Sequence, residues 1–151
     1  IAYRTHPMIS PAMYETFIRP RLARIVEAVH DEGAFVVKHS DGNLWPILEL
    51  MVSTDIDGIN PLEPVAGMDI GEVKRKYGQR VCLLGNIDCG QLLSRGTPEA
   101  VARSVRETIR VAAPGGGYIM TSSNTIHSAV KPENYRTMIE ETHRSGIYPI
   151  G

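Results

Sequence analysis

Between Lys38 and Pro64 the sequence reads KHSDGNLWPILELMVSTDIDGINPLEP, and it carries four groups able to do chemistry. His39 and Asp41 stand two apart, a spacing that places both side chains on one side of an extended strand end. Such a pair can bind a metal, or it can hold an imidazole oriented by a carboxylate. Asp41 can equally form a local turn or cap the next helix, leaving His39 merely hydrogen-bonded. Asn43 closes this cluster. Asn60 and Glu63 follow in NPLEP, where two prolines stiffen the loop and hold a carboxylate in place at small entropic cost. Two further clusters appear downstream. GNID contributes Asn86 and Asp88, which can touch a ligand, tie neighbouring loops or cap a turn. TSSNTIH contributes Ser123, Asn124 and His127. No Gly-x-Ser-x-Gly surrounds these serines, so a hydrolase elbow is not expected. The glycines of GGGYIM precede an apolar run instead of joining strand to helix, which argues against a phosphate loop.

Each cluster follows a short apolar run. The runs are Ala34 to Lys38, Asp57 to Asn60, Val81 to Leu84 and Tyr118 to Met120, all read as strands. Helical spacing lies between them. Ser10-Pro11 opens a helix carrying Ile18, Leu22, Ile25, Val26 and Val29, with a kink expected at Pro20. Leu44, Ile47, Leu48 and Met51 mark a short helix, and Met68 to Tyr77 another. Thr97-Pro98-Glu99 caps a helix with Val101, Val105 and Ile109, and Pro132 opens the last, with Tyr135, Met138, Ile139 and Thr142 on one face. Strands alternating with helices imply an α/β fold with parallel strands. All strand C-termini then face one way, and the loops bearing His39, Glu63, Asn86 and Asn124 converge on one rim.

Hydrophobic residues make up 42% and charged residues 22% of the 151 positions, and the formal charge is -1. This is a globular balance with no global attraction for nucleic acid. No apolar run approaches the roughly 20 residues that span a bilayer, and Ile1 to Ser10 lacks the pattern of a signal peptide. Cys82, read as core, and Cys89, read as more exposed, are too few for a disulfide framework, so a reduced, cytoplasmic setting is expected. His6, His30 and His143 are read as structural or surface residues. One domain over 1–151 is expected.

SPAMYETFIRPRLARIVEAVH, GNIDCGQLLSRGTPEAV and GGGYIMTSSNTIHSAVKPENYRTMIEETH together resemble the C-terminal half of the uroporphyrinogen decarboxylase superfamily. That superfamily includes the decarboxylases and zinc-dependent methylcobamide methyltransferases. The resemblance implies the C-terminal half of a (β/α)8 TIM barrel, about four parallel strands with covering helices, and a site at the C-terminal face. In the methyltransferase branch HSDGN would correspond to a His-x-Cys-Gly-Asn zinc segment. His39 matches and Asp41 replaces the Cys. Counting back from Pro132-Glu133-Asn134, Asn124 stands where those methyltransferases carry a second Cys and the decarboxylases a His. Asp and Asn in place of thiolates harden the site and weaken zinc binding. What remains is a divalent metal held through His39 and Asp41, with Glu63 or His127, or a metal-free site.

A full barrel runs to about 250 residues. Four strands alone expose two edges and one apolar face, so either an N-terminal half or a second copy is expected to cover them. The resemblance implies a tetrapyrrole or corrinoid partner, the latter carried on a protein, with HSDGN leaning toward corrinoid-linked methyl transfer. His39, Asp41 and Glu63 would position or deprotonate the methyl acceptor. Asn43, Asn60, Asn86, Asp88, Ser123, Asn124 and His127 would bind substrate or cofactor. Decarboxylation of uroporphyrinogen and a non-catalytic tetrapyrrole-binding fragment are the alternatives.

Overall fold

The computed structural model describes residues 1–150. Its four strands are β1 (Val37–His39), β2 (Gly58–Asn60), β3 (Cys82–Ile87) and β4 (Tyr118–Ser122). All pair in parallel, in the order β1-β2-β3-β4. Each strand lies beside the next in sequence, which is how a barrel wall is laid down. A doubly wound sheet would reverse direction. The chain folds as half of a (β/α)8 barrel; the alternation predicts the parallel strands, and the family resemblance the half barrel.

The helices are α1 (Pro11–Met13), α2 (Arg19–Asp31), α3 (Leu48–Val52), α4 (Ile70–Tyr77), α5 (Leu92–Arg95), α6 (Pro98–Ala112) and α7 (Pro132–Ser145). The capping chemistry read in the sequence is present. Ser10 accepts a bond from the Met13 amide, and Thr97 from the Ala100 amide. The break expected at Pro20 lies just before it, as a π-turn over Tyr14–Ile18. Proline has no N–H to donate and its ring crowds the carbonyl four residues back, so the preceding turn widens.

Ile59 and Leu83 point outward from the barrel wall and are wholly buried under the helices, with Leu22, Val26, Leu48, Met51 and Val73. Each such side chain contributes about 1.5–3 kcal/mol. A second cluster joins Ile87, Leu93, Val101, Val105, Ile109 and Met138 beneath α6 and α7.

Four local expectations change. The first strand was read as buried over Ala34 to Lys38. It begins at Val37, and Phe35 is 84% exposed. Val36 packs against the core, while Phe35 and Val37 are left open. The third strand runs on through Gly85, Asn86 and Ile87, and the fourth through Thr121 and Ser122. Both therefore carry residues read as loop, because a parallel neighbour on each side of β3 extends the ladder past the apolar run. The face of α7 read as apolar is only partly covered, with Tyr135 and Ile139 exposed beside open β4. Cys82 is half-buried and Cys89 buried, the reverse of the reading.

The concave, barrel-interior face of the sheet is uncovered. A Cβ on Gly58 would meet both Val37 and Leu84, so these lie on one face, and Ile119 pairs with Leu84. Val37 and Ile119 are each about half exposed.

Candidate functional site at the C-terminal rim

The clusters do converge. One line of side chains crosses the ends of all four strands. Asn124, beyond β4, donates through Nδ2 to Asp41 Oδ1 at 3.0 Å. Asp41 Oδ1 stands 3.5 Å from His39 Nε2 at the end of β1. His39 Nδ1 lies 2.6 Å from Asn60 Oδ1 at the end of β2. Asn60 Nδ2 reaches the Leu84 carbonyl of β3 at 3.3 Å and Thr121 Oγ1 of β4 at 3.4 Å. Register explains the meeting: His39 pairs with Asn60, and both point to the concave face. Asp41 does not make the local turn bond that was its alternative. Asn43 does, accepting from the Trp45 amide at 3.2 Å.

Glu63 lies beside this line, its Oε2 accepting from the Gly42 amide at 3.0 Å. Between the loops after β2, β3 and β4 is a cleft of about 390 Å³, lined by Glu63, Asp88, Asn124, His127 and Arg4 among others. Ser123 is buried beneath it, accepting from the Cys89 amide at 3.2 Å. His127 is exposed, its Nδ1 accepting from the Ala129 amide. Asp88 accepts from the Gly90 and Gln91 amides and so fixes the start of its loop. Asn86, inside β3, donates to the Leu62 carbonyl at 2.8 Å and ties β3 to the loop after β2. That close approach needs Gly85, whose hypothetical Cβ would strike the Pro61 carbonyl oxygen. Asn86, Asp88 and Ser123 are thus part of the frame; Glu63, Asn124 and His127 line the cleft, and His39 and Asp41 stand exposed beside it, joined to it through Asn124.

Two participants were missed. Arg4 reaches the cleft because a hairpin closed by an Ala2–Pro7 bridge docks on the first loop, where the Asn43 amide donates to the Tyr3 carbonyl. Arg4 Nε then donates to the Val65 carbonyl at 3.2 Å. Nothing in YRTH signals this, because the contact spans 61 residues. Thr121 was read as strand exit, and period-two alternation from Ile119 would have put it on the concave face.

Burial lowers the pKa of the Lys38 ammonium, whose Nζ donates to the His39 carbonyl at 2.6 Å, and raises that of the Tyr118 phenol beneath the rim.

Among the described residues no three His, Cys, Asp or Glu side chains gather closely enough to hold a metal ion. His39 and Asp41 offer two donors. A catalytic zinc site takes three protein ligands and a structural one four. The residues present do not fit a zinc site, and the divalent metal expected from this pair lacks a third ligand here.

Comparison with known proteins gives the same frame. Residues 4–145 match the family profile for uroporphyrinogen decarboxylase (URO-D). Uroporphyrinogen decarboxylase of Thioalkalivibrio sulfidiphilus is 29% identical over 148 residues, covering 92% of this chain and 39% of the relative. That of Shewanella pealeana is 30% identical over 140 residues, covering 89% and 38%. A methyltransferase from Methanosarcina mazei superposes with a TM-score of 0.80 at 20% identity, covering 97% of this chain and 41% of that one. The chain spans about two-fifths of the length of these proteins.

Proposed function

Because this chain belongs to the uroporphyrinogen decarboxylase family, we propose that its rim is the C-terminal part of a tetrapyrrole-handling active site. In it His39 and Asp41 move a proton instead of holding zinc. The reaction assigned is corrinoid-linked methyl transfer. The observation that carries the reading is the direct bond between Asp41 and Asn124. By the family resemblance these two positions hold thiolates in the zinc-dependent methyltransferases. Here a hydrogen bond joins them, and the imidazole facing Asp41 is left as the acid–base group.

A corrinoid would supply the methyl–cobalt bond. The chain's own residues receive the ring and manage the acceptor's proton. The half-exposed Val37 and Ile119 give an apolar floor below a polar rim, which suits the flat face and polar edge of a tetrapyrrole. Asp41 Oδ1 beside Nε2 stabilises the imidazolium formed when His39 takes a proton from the methyl acceptor. Glu63 and Arg4 line the neighbouring cleft with Asn124, and there they orient that acceptor. In this reading the mouth is completed by further barrel strands, from an N-terminal half or from a second copy.

The test uses the full-length protein with methylcobalamin and a thiol acceptor, following loss of the methyl–cobalt absorbance. His39→Gln is expected to lower kcat by about 10²–10⁴-fold. The second reading is uroporphyrinogen decarboxylation, favoured by the names of the curated relatives. Porphyrinogen turnover without methylcobalamin turnover would replace the first reading by the second.

A further inference from the structure

The hydrogens along the line from Thr121 to His39 can be placed from donor and acceptor identity alone. Thr121 Oγ1 donates its one proton to the Ser122 carbonyl at 3.1 Å, so toward Asn60 it can only accept. The Leu84 carbonyl can only accept as well. The Asn60 atom facing both is therefore the amide nitrogen, and its oxygen must face His39. An amide oxygen cannot donate, so the proton in the 2.6 Å contact belongs to His39 Nδ1. We infer that Asn60 is a positioning residue that locks His39 in the Nδ1–H tautomer, leaving Nε2 as the nitrogen that exchanges a proton at the rim.

Two observations support the lock. Asn60 cannot flip without setting its oxygen against the Leu84 carbonyl. The strand register places His39 and Asn60 directly opposite each other. Asp41 Oδ1, at 3.5 Å from Nε2, pulls against the lock in the neutral ring, because a carboxylate favours a proton on the nitrogen it faces; the 2.6 Å Nδ1 contact outweighs it. The same carboxylate stabilises the imidazolium formed once Nε2 takes a proton.

This inference rests on His39 as the proton-transfer group only for its consequence, since the tautomer is measurable without turnover. The experiment is long-range ¹⁵N–¹H correlation of imidazole-labelled full-length protein, at a pH where the ring is neutral. The His39 signals are identified by their loss in His39→Gln. The wild type is expected to show a protonated Nδ1 and a bare Nε2. In Asn60→Leu the ring is expected to revert to the Nε2–H form that free histidine prefers, with kcat down about 10–100-fold at nearly constant KM. Asn60→Asp keeps an acceptor for Nδ1 but loses the amide proton that anchors the side chain to the Leu84 carbonyl, so it is no rescue. If the leucine variant fails to fold, the wild-type spectrum alone decides the tautomer. A wild-type ring carrying its proton on Nε2, or an unchanged tautomer in folded Asn60→Leu, overturns the inference. A tautomer change with undiminished kcat supports the lock and removes His39 from the proposed reaction.

Discussion

If Asp41 and Asn124 occupy thiolate positions, restoring thiolates should create a zinc site. The perturbation is the double variant Asp41→Cys, Asn124→Cys. A tetrahedral zinc with Zn–N of about 2.0 Å and Zn–S of about 2.3 Å needs N···S edges of about 3.5 Å and an S···S edge of about 3.8 Å. The corresponding distances now are 3.5 Å from His39 Nε2 to Asp41 Oδ1 and 3.0 Å from Asp41 Oδ1 to Asn124 Nδ2. The thiol sulfur sits closer to its Cβ than the carboxylate or amide atom it replaces, which opens the shorter edge. Structural four-ligand sites bind zinc with about 10–16 kcal/mol, or roughly 2.5–4 kcal/mol per ligand. Three ligands then give about 8–12 kcal/mol, a Kd between about 1 μM and 1 nM. Asp41→Cys alone has two donors and should stay weaker than about 1 μM. Asn124→Cys alone keeps the Asp41 carboxylate as a third, harder donor and should fall between Asp41→Cys and the double variant. Competition against a chromophoric chelator reads these affinities, with metal analysis after dialysis for stoichiometry. A folded double variant that binds zinc no more tightly than Asp41→Cys refutes the claim that His39, Asp41 and Asn124 face one point.

Asp57, at the opposite end of the barrel wall, accepts from the Val36 amide and from His30, and these bonds hold its carboxyl below the usual range. The unfolded chain therefore binds that proton at higher pH, so the contribution is full above about pH 4 and is lost as pH falls through the lowered folded value. Urea midpoints at falling pH should drop less steeply in Asp57→Asn than in wild type. Asn134 is wholly buried, and its Nδ2 donates to the carbonyls of Leu93 and Gly96 at 3.0 and 3.1 Å. Asn134→Ala should cost about 1–3 kcal/mol and lower the melting midpoint by roughly 2–12 °C. Gly85→Ala sets a methyl against the Pro61 carbonyl and should destabilise by about 2 kcal/mol or more by denaturant titration.

Much of this architecture is legible because it rests on periodicity. Four apolar runs separated by helical spacing leave few topologies, and parallel pairing follows from the crossovers. The rim was legible for the same reason: polar residues after each run had to gather once the strands were parallel. What periodicity cannot show is where a ladder stops. Asn86 and Thr121 belong to strands because neighbouring backbones extend the hydrogen bonding past the hydrophobic residues. Nor can it show that the Ala2–Pro7 hairpin brings Arg4 across the rim.

The division of labour among the rim residues follows from the direction of their hydrogen bonds. Asn86 spends its amide proton on a loop carbonyl, and Asn43 and Asp88 accept from loop amides. Each of these satisfies backbone that would otherwise be unpaired at the bends between strand and helix, so each fixes a loop. Asn124 and Asn60 instead bond side chains from different strands, Asp41 and His39. A side chain bonded to another side chain holds a functional group in place. The same residue type therefore serves as frame at two positions and as orienter at two others. The sequence shows four asparagines near strand ends, Asn43, Asn60, Asn86 and Asn124, and only the partner, backbone or side chain, tells which pair does which.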